Sequence, residues 1–270
     1  MINVTVIIPT KDTIPKIDPI GKVKYLIIDD GSDKGVADEL ENAYGKNEHI
    51  RIIHQKNKGV GASRNSGIKQ ADTKYVYFLD ADDEFVGEDI VSELASIAEK
   101  KGVKVAGGSM VEIRPDGTEF CDWQDHNRGF VFEREGYIKY TDYQFDYGFY
   151  RFVYDRQFLV DNKIFFPKLK RFQDPPFFVK ALYTAQVFYA VPTITYRYRV
   201  GSVSWNKSKA QDLLKGIRLN QKYAHKYKLR KLQHTTMARL DDFTEIIALH
   251  KHRIIIKLFI LKLTHFLKSK

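Results

Sequence analysis

The stretch YVYFLDADDEF, residues 75–85, runs from successive apolar side chains directly into a group of acidic ones: Asp80, Asp82, Asp83 and Glu84. A segment that is apolar at successive positions indicates a strand covered on both faces, as in a parallel sheet flanked by helices. The acidic group then lies at the carboxyl end of that strand. Open α/β sheets bind ligands at this end, because the loops there converge on a crevice. The stretch therefore predicts both a buried parallel strand and a binding site.

The rest of the N-terminal region repeats this pattern. Three other β-branched runs predict strands: VTVIIP (4–9), VKYLIID (23–29) and, more weakly, IRIIHQ (50–55). Three segments have helical character: 33–46, 61–72 and 88–102. Strands that alternate with helices predict an α/β fold with a mostly parallel sheet flanked by helices, similar to half of a nucleotide-binding doubly wound fold.

Beyond about residue 105 the pattern changes to short, aromatic-rich strands and loops, which predicts an α+β second half with an aromatic core. A helix is predicted over 175–185, directly after Asp174, because Pro175 and Pro176 suit its first turn. From about residue 207 the chain is helical and basic in character. We expect three regions: 1–105, 106–206 and 207–270.

The net charge of +10 is concentrated near the C-terminus. Residues 201–270 carry 16 Lys and Arg against 4 Asp and Glu, whereas the first 200 residues are close to neutral. A nucleic-acid enzyme is expected to carry its positive charge around the working cleft, so nucleic acid is not a predicted partner. The single cysteine, Cys121, cannot form an internal disulfide, and the N-terminus lacks signal-peptide features. We therefore expect a cytoplasmic protein.

The acidic group of residues 80–84 is a candidate metal site. Clustered carboxylates raise one another's pKa unless a cation or hydrogen-bond donors stabilise them. Mg²⁺ or Mn²⁺ is the usual ion for oxygen ligands, and an ion held by one or two carboxylates keeps positions open for phosphate oxygens. In the alternative, structural interpretation, Asp82 or Asp83 caps the following helix and Glu84 is solvated.

A second strand end carries carboxylates in YLIIDDGSD, residues 25–33, where Asp30 is suited to accept a hydrogen bond from a nucleobase or ribose. The glycine-rich segment NKGVGASRNSGI, residues 57–68, lies between the two acidic strand ends. In it, Arg64 is a planar fork donor suited to a diphosphate, and the alternative is that Arg64 pairs with a nearby acid. Together these features predict a nucleotide crevice, although neither the dinucleotide-binding nor the P-loop pattern is present.

In this order, the segments VTVIIPT, YLIIDDGSD, NKGVGASRNSGI and YVYFLDADD resemble the nucleotide-sugar half of glycosyltransferase family 2. The resemblance covers residues 3 to about 100 and extends more loosely to about 205. It implies a GT-A fold and an inverting, metal-dependent enzyme of bacterial cell-surface polysaccharide synthesis. Such an enzyme moves a sugar from a nucleotide-sugar, here a UDP-sugar, to a hydroxyl of a glycan or lipid-linked acceptor. The implied cofactor is Mn²⁺ or Mg²⁺.

The resemblance also implies roles for residues of the N-terminal half. Pro9 and Thr10 are expected against the base, and Asp30 is expected to bind the uracil or ribose. The segment 80–83 resembles the DxD signature, in which Asp80 serves the nucleotide. The last Asp of that signature holds the metal on the diphosphate. Asp82 is the preferred candidate for this ligand, and Asp83 is the second.

In the second half, the family's catalytic base is an Asp just before a helix, and Asp174 in KRFQDPPFFVKAL matches that position. Gln173 replaces the acidic residue that often precedes this Asp, which would lower the pKa of the base relative to an acidic neighbour. The structural alternative is that Asp174 is the helix N-cap. The segment YRYRVGSVS, residues 196–204, resembles one that closes the active site, and it supplies candidate phosphate or acceptor contacts: Arg197, Arg199 and Ser202.

Two departures from the family pattern favour an alternative function. The connection between the first two strands, KDTIPKIDPIGK, is short for a crossover and contains two prolines, and Lys11 and Asp12 replace the usual aromatic residue and Asn. The short connection and Gln173 motivate the hypothesis of a catalytically silent, sugar-nucleotide-binding scaffold protein in a polysaccharide assembly complex.

The stretch HKHRIIIKLFILKLTHFLKSK, residues 250–270, predicts a basic amphipathic helix. Lysines at 257 and 262 interrupt its apolar side, so it is a poor membrane-spanning helix. It suits the surface of an anionic membrane, and we expect a protein that is peripheral on the inner face of the cell membrane. The alternative is that the helix packs on the catalytic domain or on a second subunit of a homodimer.

Overall fold

A computed structural model of the protein describes residues 3–121, 130–201 and 204–242. Its N-terminal region alternates strands with helices as predicted: β1 (Val4–Thr10), β2 (Lys24–Asp29), α1 (Lys34–Tyr44), β3 (Ile50–His54), α2 (Val60–Gln70), β4 (Tyr75–Phe78) and α3 (Glu88–Lys101). The described part of the chain continues with β5 (Val105–Ile113), β6 (Glu119–Phe120), β7 (Gly136–Lys139), α4 (Tyr140–Tyr143), β8 (Phe152–Asp155), α5 (Arg156–Asp161), α6 (Asp174–Ala185), β9 (Val187–Arg199), α7 (Lys207–Lys226) and α8 (Arg230–Asp242).

One sheet runs through the described residues in the order β3-β2-β1-β4-β8-β5-β9-β7, with β6 paired to β5. Strands β3, β2, β1 and β4 are parallel to one another, and every residue of β1 and β4 is buried. Strand β8 is antiparallel to both β4 and β5, whereas β9 is parallel to β5. The predicted α/β fold is therefore confirmed, and the sheet becomes mixed beyond β4.

The carboxyl ends of the parallel strands meet at one edge of the sheet. Thr10 at the end of β1 is in register with Asp29 at the end of β2. On its other side, β1 pairs with β4, whose last residue, Phe78, lies opposite Ile7. This register brings the segments that follow β2 and β4, which contain Asp30 and Asp80, beside the end of β1.

The second half packs on the sheet through aromatic side chains, as the sequence predicts. Phe166 and Phe177 stack with ring centroids 3.9 Å apart. Phe78 meets both rings edge to face, at 5.4 and 5.8 Å, and Phe149 lies 5.6 Å from Phe78. These contacts fix α6 against β4, and therefore fix the start of α6 relative to the acidic segment that follows β4.

The connection between β1 and β2 contains no helix, as its short length indicates. One buried side chain anchors it instead. Glu88, at the start of α3, is 2% exposed, and its carboxylate accepts hydrogen bonds from the backbone N–H groups of Ile20 (3.0 Å), Lys22 (2.5 Å) and Val23 (3.3 Å). Glu88 thereby satisfies three backbone N–H groups of a segment that has no regular secondary structure.

We expect Glu88→Gln to lower the free energy of unfolding by about 2 kcal/mol, because hydrogen bonds to a charged group contribute about 1.5–3 kcal/mol and the glutamine NH₂ group would face at least one N–H donor in either orientation. Urea unfolding measures this loss. Asp89→Asn is the matched control, because Asp89 is largely exposed and, among the described residues, pairs with Lys22 at the surface. Equal losses in the two variants would contradict the anchoring role.

Candidate active site

A cleft of about 1220 Å³ opens at the carboxyl edge of the parallel strands. It extends from the end of β1 past the segment after β4 to the start of α6, and onward to α8. The cleft receives side chains from most of the predicted site segments: Pro9, Thr10, Arg64, Asp80, Asp82 and Asp174. The structure thus brings together residues that are far apart along the chain.

Arg64 lies at the centre of this arrangement. Its side chain projects from α2, is only 3% exposed, and donates from Nη1 to Asp174 Oδ1 (2.7 Å) and from Nη2 to Asp80 Oδ1 (2.6 Å). The guanidinium lies 4.8 Å from the ring centroid of Phe149 and 5.2 Å from that of Phe166. Arg64 therefore forms ion pairs with nearby acids, which is the alternative that the sequence left open, and both terminal nitrogens are engaged by carboxylates.

Arg64 is buried because α2 packs closely against the sheet. Gly67, one turn further along α2, faces Ile7 of β1, and a Cβ at this position would lie 2.3 Å from Ile7 Cγ2. Only glycine fits such a contact without a shift of the backbone. The glycine-rich character of residues 57–68 thus serves helix packing here.

Asp174 is the first residue of α6, one position earlier than the predicted helix start. Its carboxylate binds Arg64, and the N-cap position of α6 is occupied by Gln173, so the N-cap alternative does not describe Asp174. Burial in the cleft raises the pKa of Asp174, the charge of Arg64 lowers it and that of Asp80 raises it, and the net shift is upward. About a third of the side chain remains exposed (31%), and no hydrogen bond within the described residues engages Oδ2.

Gln173 precedes Asp174 and also lines the cleft. It is 6% exposed, and its Oε1 atom is buried with no hydrogen-bond partner among the described residues. A neutral amide at this position adds no negative charge beside Asp174.

Asp82 and Asp83 have different surroundings. Asp82 lines the cleft, and its carboxylate makes no hydrogen bond or ion pair with the part of the chain that the structure describes. Asp83 points into the protein, is 8% exposed, and accepts from the Tyr196 hydroxyl and from the Arg199 backbone N–H (2.7 Å). Burial, followed by the charge of Asp80, raises the pKa of Asp83 to about 8. Of the two predicted metal ligands, Asp82 alone faces the cleft without a protein partner among the described residues.

The residues after β4 fit a divalent ion of the predicted kind. Residues 3–121, 130–201 and 204–242 contain no group of three or more His, Cys, Asp or Glu arranged to hold a metal. An ion that bridges to a diphosphate needs only one or two carboxylates, since phosphate oxygens and waters complete its coordination. The Asp82 carboxylate, which faces the cleft near Asp80, meets this requirement.

The two arginines of β9 are held in ion pairs. Arg197 pairs with Glu84 and Glu119, and Arg199 pairs with Glu84 (2.9 Å). A backbone bridge also joins Glu84 to Arg197. These contacts tie the acidic segment after β4 to β9, so both arginines lie near the site but bind its supporting carboxylates. The third predicted contact, Ser202, lies outside the described residues.

On the nucleotide side, Pro9 and Thr10 line the cleft as predicted. Asp30 is 4% exposed, and its carboxylate accepts hydrogen bonds from Gln55 Nε2 (2.7 Å), Lys58 N (2.9 Å) and Gly59 N (2.7 Å). These hydrogen bonds fix the loop before α2, which borders the same end of the cleft.

The sequence interpretation did not identify the contribution of α8. Lys231, His234, Thr235 and Ala238 of α8 also line the cleft. Their spacing of three to four residues is the signal of a common helix face and was available in the sequence. Which part of the protein this helix face contacts depends on tertiary packing, and the sequence alone does not show it.

These findings agree with comparisons against known proteins. A family model described as glycosyl transferase family 2 matches residues 7–162, more than half of the chain. The chain belongs to glycosyltransferase family 2. This family 2 chain is 26% identical over 184 residues to the uncharacterised glycosyltransferase EpsJ of Bacillus subtilis, which covers 67% of the chain and 53% of EpsJ. It is 39% identical over 75 residues to the succinoglycan biosynthesis protein ExoW of Rhizobium meliloti, covering 27% of the chain and 24% of ExoW.

The fold of this family 2 chain is similar to that of S. aureus TarS in a crystal structure with UDP-GlcNAc. The TM-score is 0.64 at 18% identity, and the match covers 82% of this chain and 65% of the TarS chain. The predicted GT-A fold is thereby confirmed. The chain spans less than two thirds of each of these three relatives.

The family model ends before α6, so Asp174 and the α8 face lie beyond the matched span. Within the described residues, none of the helices has the length and apolar character to cross a membrane. The predicted amphipathic segment, residues 250–270, lies outside those residues.

Proposed function

We propose that the protein is an inverting glycosyltransferase that moves a sugar from a UDP-sugar to a hydroxyl of a glycan or lipid-linked acceptor in cell-surface polysaccharide synthesis. The observation that carries the proposal is the group formed by Asp80, Arg64 and Asp174, which joins the DxD segment to the candidate base within one cleft. Family membership supports the reaction class. The UDP-GlcNAc complex of TarS supports the donor class, and the role named for ExoW supports the pathway class.

In this proposal Asp174 is the general base. Its Oδ1 atom is held by Arg64, and Oδ2 takes the proton from an acceptor hydroxyl. The hydroxyl oxygen forms a bond to the anomeric carbon on the face opposite the nucleotide. The bond from that carbon to the phosphate oxygen breaks, and its electron pair leaves with UDP. Attack opposite the leaving group inverts the anomeric configuration.

Arg64 acts as a positioning residue. Its fork fixes Oδ1 of Asp174 relative to Asp80 and lowers the pKa of a base that burial raises. Because its terminal nitrogens bind carboxylates, we assign it to the base and the DxD segment instead of to the diphosphate.

Asp82 would hold a Mn²⁺ or Mg²⁺ ion, with Asp80 beside it. When bound, such an ion neutralises charge on the diphosphate leaving group. Pro9 and Thr10 would lie against the uracil and ribose, and Asp30 would support them through the loop that it fixes. The roles of Asp83, Arg197 and Arg199 are to position the acidic segment.

The proposal predicts a metal-dependent response to uridine nucleotides. In a thermal-shift screen of UDP-, GDP- and dTDP-sugars, we expect UDP-sugars to raise the melting temperature most, and only with Mn²⁺ or Mg²⁺. At about a hundredfold excess over Kd, binding adds about 2.7 kcal/mol, or roughly 5 °C for a chain of this size. Asp82→Asn should remove the metal-dependent part of this shift.

Asp38→Asn is the matched control, because Asp38 is an exposed carboxylate on α1. It should respond to UDP-sugars as the unaltered protein does. A shift of equal size without metal, or an unchanged shift in Asp82→Asn, would contradict the metal assignment. UDP-sugar binding without any UDP release on prolonged incubation would favour the silent-scaffold hypothesis.

A further inference from the structure

The part of the cleft that is lined by residues of β5, β9 and α8, here called its far end, has a chemistry of its own. In the sheet, β4 separates β1 and β2 from β8, β5 and β9. The nucleotide side of the cleft therefore lies over β1 and β2, and the far end lies over β8, β5 and β9. Tyr198 from β9 and Glu112 from β5 line that far end together with the face of α8.

Helix α8 is fixed to the wall of the cleft. Gln144 Oε1 accepts hydrogen bonds from the backbone N–H groups of Lys231 (3.0 Å) and Leu232 (3.4 Å) in the first turn of α8. Asn220 of α7 donates to the fully buried Asp146 (2.7 Å) and to Thr236 of α8 (3.1 Å). Gln144 and Asp146 both belong to the segment between α4 and β8. Helix α8 is therefore held against a segment that itself lines the cleft.

That loop also supplies an aromatic surface. Tyr150 stacks on Tyr198 with ring centroids 5.7 Å apart and planes 2° apart, and both line the cleft with Tyr147. A rigid aromatic face with an adjacent hydroxyl suits a sugar ring, which presents apolar C–H groups on its faces and hydroxyls at its edge.

Two of the cations that line the cleft differ from the others in their ion pairs. Lys11 and Arg64, the cations nearer the nucleotide side, pair with Asp12 and with Asp80 and Asp174. Among the described residues, by contrast, no carboxylate lies within ion-pair distance of Arg171 or Lys231, although both line the cleft and the charge of Arg171 lowers the pKa of Asp174. Arg171 instead lies over the ring of Trp205, 5.6 Å from its centroid. His234 lines the far end of the cleft.

We propose that the far end of the cleft binds the acceptor, and that this acceptor is a saccharide carrying a phosphate or carboxylate group. Arg171 and Lys231 bind the anionic group, and Tyr198 packs against the sugar ring. This inference rests on the proposed function, since it names the acceptor class of the same site.

The test uses the full chain with UDP and Mg²⁺ present, so that added anions do not enter the diphosphate position. Three sugars with the same ring serve as probes in ligand-observed NMR titrations: methyl glucoside, methyl glucuronide and glucose 6-phosphate. We expect at least one anionic sugar to bind about tenfold more tightly than the neutral glucoside, which is the effect of about one charge-assisted contact. Lys231→Glu should abolish this difference.

Lys222→Glu is the matched control, because Lys222 is exposed on α7 and lies outside the cleft. Both substitutions change the charge equally, and a glutamate in the first turn of α8 favours that helix through its dipole. Equal binding of all three sugars, absence of binding, or a preference that survives in Lys231→Glu would overturn the inference. The affinity for UDP is measured in each sample, and its absence in the unaltered protein would instead refute the proposed function.

Discussion

Replacing Asp174 with Asn is expected to lower the turnover number about 10³-fold, because a positioned general base contributes about 10²–10⁴ to the rate. The amide has nearly the same shape and its oxygen still accepts from Arg64, but it cannot take a proton. Turnover is measured as UDP release, with an acceptor or with water. The melting temperature should change little, because Asp174 is partly exposed and lies at the start of α6.

The unaltered protein should also show a characteristic pH dependence. The base works only when ionised, and the pKa of Asp174 is raised above its ordinary value. Activity is therefore expected to fall as the pH decreases through that raised pKa. Asp161→Asn is the control, because Asp161 is an exposed carboxylate at the end of α5. An Asp174→Asn protein that releases UDP at the normal rate would refute the base assignment.

Replacing Arg64 with Met is the second substitution for which a large effect is expected. We expect a loss of about 10²–10³ in kcat/KM, because Asp80 and Asp174 lose the cation that holds them together. Removal of that charge also raises the pKa of Asp174 further. The acid limb of the pH–rate profile should therefore move to higher pH. Arg64→Lys keeps the charge but not the fork, so it should preserve the limb while losing part of the rate.

Two comparisons make this prediction specific. Lys69→Met alters the same helix and the same charge at an exposed position, and should leave the profile unchanged. The fold of Arg64→Met is checked by its melting temperature, since breaking a buried ion pair costs about 3–5 kcal/mol and partial exposure of both carboxylates reduces that cost. A lower rate with an unmoved acid limb would show that Arg64 does not tune the base.

Local sequence patterns were sufficient to predict the N-terminal half of the fold. Continuous apolar runs specify buried strands because both faces of a parallel sheet are covered, and each acidic run marked the carboxyl end of its strand. The same logic identified Asp80 and Asp82 as site candidates, whereas Asp174 was identified by the resemblance to the family. All three line one cleft in the structure.

Other features depended on which groups meet in space. Asp82 and Asp83 are neighbours in the same acidic run, yet one faces the cleft and the other is buried against Tyr196 and the backbone of Arg199. Likewise, a lone arginine in a glycine-rich segment fits a diphosphate or a carboxylate equally well from sequence. The ion pairs of Arg64 join segments that only the folded sheet brings together.

The order of apolar and acidic residues along the chain thus determined, by itself, the α/β fold, the family and the edge of the sheet where the site lies. The tertiary structure decided which carboxylates face the cleft, which cation each one binds, and that α8 forms the far wall. The physical reason is that hydrophobic periodicity is a local property, whereas desolvation and charge pairing depend on residues distant in sequence.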